Sequence, residues 1–332
     1  MKRFVYFALS VILLVSLAAC GGSSGSTDNG NGGTTDTGSQ SQSGGPTPTK
    51  IVLATPTPRP APPTPTPKPS PTPAPTQPPA TAESGEMATA APEATAPAPE
   101  PAPMIDTEMV LIPAGSFTMG SDDGDPEDAP AHTVDLPAFE MDKFEVTNDD
   151  FAMFVDATGY QTYAEVQGAS QNWRNYAEGK GNHPVVKVTW NDAAAFCEWA
   201  GKRLPTEEEW EKAARGDDGR AYPWGNEFDP AKANVKDTGI RGTTAVGSFP
   251  DGASPYGVED IAGNVWEWTA SWFKAYPGST TDNPYFGERF RVTRGGAWFE
   301  EAPQVTTFNR NAADPEITAN DDLGFRCVRD AQ

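Results

Sequence analysis

Gly201-Lys202-Arg203-Leu204-Pro205-Thr206-Glu207-Glu208-Glu209-Trp210-Glu211 ends one helix and begins another within a few residues. Gly201 stops the segment before it, because glycine takes the left-handed conformation that closes a helix. Pro205 cannot continue a helix but can precede one. Thr206 and Glu209 have the spacing of a capping box, in which each side chain satisfies a backbone N–H that the first turn leaves open. Three glutamates in that turn suit the positive end of the helix dipole. Gly216 supplies the stop.

Working outward, the pattern predicts a second helix over about 191–200. A third is capped by Thr147 and runs to about Thr158, with Phe151, Phe154 and Val155 at helical spacing and Gly159 after its end. Beyond Gly216 the chain is rich in Gly, Pro, Asn and Asp. It is broken by short aromatic strands near 265–272 and 290–298. Trp190, Trp199 and Trp210 fall on helical patterns, and Trp266 and Trp268 share one strand face, so all five read as core. No internal repeat is visible. The fold class is α+β, dominated by loops.

The first hundred residues read differently. Lys2 and Arg3 precede an apolar run over 4–17, and Leu17-Ala18-Ala19-Cys20 fits a lipobox. Residues 1–20 therefore read as a bacterial lipoprotein signal peptide, with Cys20 as the acylated N-terminus. The run is too short for a membrane span, which needs roughly 20 apolar residues. Residues 21–45 are Gly/Ser-rich coil. Residues 46–103 alternate Pro with Thr, Ala and Ser, as in Thr64-Pro65-Thr66-Pro67, which favours polyproline II. At about 3.1 Å per residue that stretch reaches on the order of 180 Å. The expected product is a domain of residues 104–332, extracellular or periplasmic, tethered to the membrane by lipid.

That domain is acidic. Six acidic and five basic side chains precede residue 104; removing them from totals of 46 and 24 leaves a net charge of −21. Nucleic acid, which needs a basic footprint, is excluded as a partner. With Cys20 assigned to the lipobox, Cys197 and Cys327 remain, and two cysteines in an exported domain are expected to pair. The two histidines, His132 and His183, offer no metal-ligand spacing, which argues against a His-rich zinc or iron enzyme.

An ordered set of segments resembles the formylglycine-generating (sulfatase-modifying factor) family. It runs from Met109-Val110-Leu111-Ile112-Pro113-Ala114-Gly115 through Pro184-Val185-Val186 and the helix start quoted above. It continues through Tyr222-Pro223-Trp224-Gly225, Gly263-Asn264-Val265-Trp266-Glu267-Trp268 and Arg294-Gly295-Gly296, and ends at Leu323-Gly324-Phe325-Arg326-Cys327. The resemblance covers about residues 106–330 and implies an elaborated C-type-lectin-like fold. It also implies pairing of Cys197 with Cys327, a structural role for Arg326, and calcium sites. One site would take carboxylates from Asp260 and Glu267 and carbonyls from Gly263 and Val265. A second would take Asn234, the carbonyl of Val235, and Asp237. Calcium favours such oxygen donors.

The family's activity is oxidation of a sulfatase cysteine by O₂ and copper, held by two cysteines just after the Gly-Gly pair. Here 295–305 read Gly-Gly-Ala-Trp-Phe-Glu-Glu-Ala-Pro-Gln-Val, with Glu300 at the first cysteine position and Val305 near the second. Cu(I) wants soft thiolates, so copper and formylglycine formation are not expected. A non-catalytic binding or sensing module remains, with a small-molecule, glycan or peptide ligand in a cleft near Trp298, Glu300, Asn309 and Arg310. The alternatives are an oxidoreductase-type enzyme using another cofactor and a hypervariable lectin-like binder. The lipobox generates the first prediction: Cys20→Ala abolishes fatty-acid labelling and releases the protein from the membrane fraction. Normal lipid labelling of that variant would refute the anchor.

Overall fold

The computed structural model describes Ile105 and residues 107–331. The expected signal peptide, Cys20 and the expected tether of 21–103 lie outside the described residues. Among the described residues nine strands and five α-helices occur in the order β1 (Met109–Ile112), β2 (Gly115–Met119), β3 (His132–Leu136), β4 (Phe139–Asp142), α1 (Asn148–Thr158), α2 (Tyr163–Val166), α3 (Trp173–Ala177), α4 (Trp190–Trp199), α5 (Glu207–Arg215), β5 (Trp266–Trp272), β6 (Arg291–Arg294), β7 (Asn311–Ala313), β8 (Leu323–Gly324) and β9 (Val328–Asp330). They form a sheet β1-β4-β9, a hairpin β2-β3 and a sheet β7-β6-β5-β8, in which only the β5–β8 pair is parallel.

Each of the five helices begins with a capping box. Thr147 caps α1 by accepting from Asp150 N, and Gly159 ends it in the left-handed region. Thr206 and Glu209 cap α5 as the sequence indicates, and Gly216 follows it. The helix expected near 191 begins one residue earlier, because Thr189 and Asp192 supply its box. The short α2 and α3 were not foreseen, since four or five residues carry too little periodicity to register.

The strand expected over 290–298 ends at Arg294. Gly295 and Gly296 both take positive φ there, and a Cβ on Gly296 would meet the Val305 side chain at 2.6 Å. The turn needs glycine on both conformational and steric grounds.

The principal core gathers Phe151 and Phe154 from α1, Phe196 and Cys197 from α4, Trp268 from β5, and Phe325. Phe151 lies 5.1 Å from the Trp173 ring and 5.8 Å from Phe196. Trp210 is wholly buried in a second cluster, with Met141 and Val328. Trp190 and Trp199 pack against the core from its edge and are only partly buried. The Trp190 indole, for instance, donates to Thr269 O at 2.8 Å.

Cys197 on α4 is bonded to Cys327 beside β9, with Cα atoms 5.7 Å apart. Next to it, Asp142 Oδ2 accepts from Cys327 N, and the buried Lys202 ammonium pairs with Asp142 Oδ1. The disulfide closes a loop across a sequence separation of 130. The chain-entropy model assigns such a loop roughly 4–5 kcal/mol. Cys197→Ala/Cys327→Ala is therefore expected to lose stability of that order in urea unfolding. A midpoint equal to the parent's would contradict this.

Candidate functional site

The loop from Asp260 into β5 is held in an unusual backbone path. Asp260, Gly263 and Asn264 all have positive φ. At Gly263 a Cβ would collide with the carbonyl of Asn234, so no other residue fits that position without rearrangement. Asn264 links the strands of the loop: its amide donates to Glu145 Oε2 at 2.7 Å, and its Oδ1 accepts from Thr244 N and from Asn234 Nδ2.

Around this loop the structure brings together Asp260, Glu267 and a residue the sequence did not single out, Glu145. Glu267 is buried rather than exposed on its strand. Its carboxylate accepts from Arg326 Nε and Nη2, each at 2.8 Å, and from Trp210 Nε1 at 2.8 Å. Asp260 Oδ2 accepts from Gly247 N, yet burial pushes its carboxyl up to about 6. Glu145 is fully buried, and burial pushes its carboxyl well above the usual range, with the Asp260 and Glu267 charges adding to the shift. Its Oε1 has no partner. Nothing local in Phe144-Glu145-Val146 distinguishes this glutamate from a solvated one.

Among the described residues no three His, Cys, Asp or Glu side chains converge as a ready metal cage. An ion here would draw on carbonyl oxygens as well as carboxylates. The donors present meet part of that need: Arg326 bonds Glu267 and bears only at a distance on Glu145 and Asp260, and a buried Glu145 oxygen stands unpaired. A hard divalent cation takes such oxygens.

The second set is less convergent. Asn234 is buried, but its amide donates to Gly242 O and Asn264 Oδ1, and its Oδ1 accepts from the Thr238 hydroxyl. The Val235 carbonyl accepts from that same hydroxyl at 2.8 Å. Asp237 lies exposed in the 3-10 turn Lys236–Thr238.

The four cleft residues fall into two groups. Trp298 N donates to Asn264 O, which ties it to the loop above, and its ring meets the exposed Phe299 edge-on at 5.1 Å. Glu300 Oε1 accepts from the Trp266 indole at 3.3 Å, and Lys236 N donates to Glu300 O. Burial, with nearby Asp322, raises the Glu300 carboxyl, and Asp322 itself is pushed up to about 6.

Arg310 differs from expectation. It is buried, and its guanidinium holds Glu207 through Nε and Nη2 at 2.6 and 2.9 Å. It also donates to the carbonyls of Glu127 and Lys274. It is therefore not an open fork for a ligand. An unpaired guanidinium at that depth would cost several kcal/mol, and Glu207 relieves the cost. Asn309 is also buried, and its carbonyl accepts from Arg294 at 3.0 Å.

The donor set does not fit copper. Residues 295–305 contain no cysteine, and Cys197 and Cys327 are bonded to each other. No thiolate is left beyond Cys20 for Cu(I).

Comparison with known proteins fixes the family. The description "Sulfatase-modifying factor enzyme 1-like domain" matches residues 94–331. The formylglycine-generating enzyme of Mus musculus is 37% identical over 288 residues, covering 69% of this chain and 76% of its own length. The inactive C-alpha-formylglycine-generating enzyme 2 of Mus musculus is 38% identical over 281 residues, covering 68% and 87%. Among solved structures, PvdO from Pseudomonas aeruginosa superposes with a TM-score of 0.54 at 28% identity, covering 70% of this chain and all of that one. The chain belongs to the sulfatase-modifying factor family, and its fold is the loop-rich, elaborated C-type-lectin-like α+β fold of that family.

The orphaned Glu145 oxygen generates a prediction. Calcium should raise the melting temperature by about 5–10 °C at a hundredfold excess over its Kd. Glu145→Gln keeps an acceptor for Asn264 but removes a charge, and should lose most of that gain. Identical melting curves with calcium and with a chelator would sink the calcium reading.

Proposed function

We propose that this member of the sulfatase-modifying factor family is a non-catalytic ligand-binding or sensing module. In this reading it is displayed on a bacterial cell surface by lipid on Cys20 and the Pro/Thr-rich tether. Calcium held at Asp260, Glu267 and Glu145, with the carbonyls of Gly263 and Val265, would serve as a structural ion. Asn234, Val235 and Asp237 are the weaker candidates for a second ion.

One observation carries the reading. A carboxylate, Glu300, stands at the first copper-thiolate position and is already engaged by the Trp266 indole. Overall similarity cannot decide the matter, because relatives named as active and as inactive are 37% and 38% identical to this chain. The replaced thiolates support the reading, since a hard oxygen donor does not substitute for soft sulfur on Cu(I). The binding surface is the Trp298, Phe299 and Glu300 side of the loop. There an indole face and a half-buried carboxylate lie beside the exposed Phe299 ring, a mixture suited to a small molecule, glycan or peptide.

Incubation of the purified protein with copper, O₂ and a sulfatase-motif cysteine peptide is expected to give no formylglycine by mass spectrometry; its formation would overturn the proposal. Trp298→Ala is expected to weaken capture of a ligand identified on a glycan or peptide array by about tenfold. Arg310→Ala, by contrast, should act on stability, because it leaves Glu207 buried and unpaired.

A further inference from the structure

Among the described residues, Arg291 is the arginine that the fold withdraws from water without giving it a carboxylate. Every other arginine that is not exposed, from Arg203 to Arg329, forms an ion pair. Arg291 is half-buried and has none. A guanidinium taken from water is normally compensated by an anion.

Its setting is rigid. Arg291 opens β6, opposite Trp272 of β5 and Ala313 of β7. Its guanidinium carbon lies 3.5 Å from the centre of the Trp272 ring and 4.1 Å from that of Trp190, the first residue of α4. Two indoles that close to one carbon would collide on a shared face, so they cover both faces of the guanidinium plane. Only its edge is left for hydrogen bonds. There Nη1 donates to Ala270 O. Nε is sealed from solvent and has no partner. Nη2 has no partner among the described residues either, but it is not sealed.

The surrounding charge does not compensate it. Glu288 is committed to Lys274 at 2.7 Å and bears on Arg291 only from a distance. Arg289, exposed on the Phe290 ring, adds a further positive charge. Burial lowers the pKa of Arg291 from its ordinary value, with Glu288 opposing. The two indoles offset part of the desolvation through cation–π attraction. They meet the guanidinium face-on, however, and leave its in-plane N–H groups unsatisfied. A cation would be repelled here, and a neutral hydroxyl would leave the charge uncompensated. An oxyanion supplies both the acceptor and the charge.

We propose that Arg291 is a recognition point for an oxyanion, a carboxylate or sulfate group carried by a ligand. The oxyanion accepts from Nη2 in the plane of the guanidinium. The indoles of Trp190 and Trp272 hold that plane still, so little side-chain freedom is lost on binding. Trp298 and Glu300 take no part in this contact.

Proton–nitrogen NMR of the arginine side chains in the full chain tests this, because a sealed Nε–H exchanges slowly and gives its own resonance. Sodium acetate and sodium sulfate are the probes, one for each source of oxyanion. Sodium chloride at matched ionic strength and methyl glucoside are the controls. At least one oxyanion is expected to shift the Arg291 resonance saturably at millimolar concentration. The resonances of Arg294 and Arg326, which are already paired, should stay in place. Arg291→Lys assigns the resonance. Followed at the Trp190 and Trp272 indole N–H signals, it should weaken binding about tenfold. A clamp that serves only to join β5 and β6 to α4 gives no saturable shift. The proposal falls if neither oxyanion moves the Arg291 resonance, or if chloride or methyl glucoside moves it as far. It falls equally if Arg294 and Arg326 move with it, or if a folded Arg291→Lys binds as the parent does. Should that variant not fold, the parent titration decides alone. Neither outcome touches the Trp298 cleft, which Trp298→Ala judges.

Discussion

A chain of buried charges of alternating sign runs through the centre of the molecule, from Arg215 to Glu211, Arg294, Glu207 and Arg310. Two of its members, Glu207 and Glu211, lie on α5, one turn apart, while Arg294 ends β6 and Arg310 precedes β7. Arg294 also donates to the carbonyls of Thr307, Phe308 and Asn309, and Arg215 to those of Thr118 and Gly120. In a domain with so little regular structure, these guanidinium forks take the place of a ladder for the loops they hold. Taking such groups out of water is costly, so an apolar replacement of equal shape would rival the chain in stability. Removing one member would cost about 3–5 kcal/mol, because its neighbours are left charged and buried. The chain is therefore better understood as a device that fixes one arrangement of the loops than as a source of stability.

The Asp260 loop is anchored to the same helix by a parallel device. Trp210, on α5 between Glu207 and Glu211, donates to Glu267, and Arg326 clamps that carboxylate from the other side. Arg326 reaches the carbonyls of Asp142, Lys143 and Glu259 as well. The C-terminal segment, β4 and the Asp260 loop thus meet at one guanidinium. Glu145 lies at the edge of this junction with one oxygen unpaired, in a place where its own charge is disfavoured. A buried acceptor of this kind asks for an ion, a proton or a water.

A scaffold so thoroughly cross-tied can change the chemistry at its surface without changing its fold. The turn at Gly295-Gly296 is fixed by steric need, and Trp298 and Glu300 are held by backbone bonds to Asn264 and from Lys236. The identity of the side chain at position 300 is free of those constraints. In the proposed reading, a carboxylate in place of a thiol there would remove redox metal chemistry and leave an aromatic and acidic surface on an unaltered frame. That separation between frame and surface is why family membership alone does not assign a function.

Local patterns were enough for the helices with boxes and glycine stops, because a capping box and a C-terminal glycine are satisfied within four residues of one another. Thr206, Glu209 and Gly216 act at short range, so α5 was legible; so were the aromatic strand around Trp268 and the ordered motifs that place the chain in its family. The pairing of Cys197 with Cys327 was legible because only two cysteines remained beyond Cys20. The fate of charged side chains was not legible in the same way. Arg310 read as a cleft residue open to a ligand and Glu267 as a carboxylate for an ion rather than the partner of an arginine, while Glu145 attracted no notice. Each is decided by partners distant in sequence: Glu207 lies 103 residues from Arg310, Arg326 lies 59 from Glu267, and Asn264 lies 119 from Glu145. Whether a charge is buried, and what then neutralises it, depends on which segments the fold brings together, and only the tertiary structure holds that information.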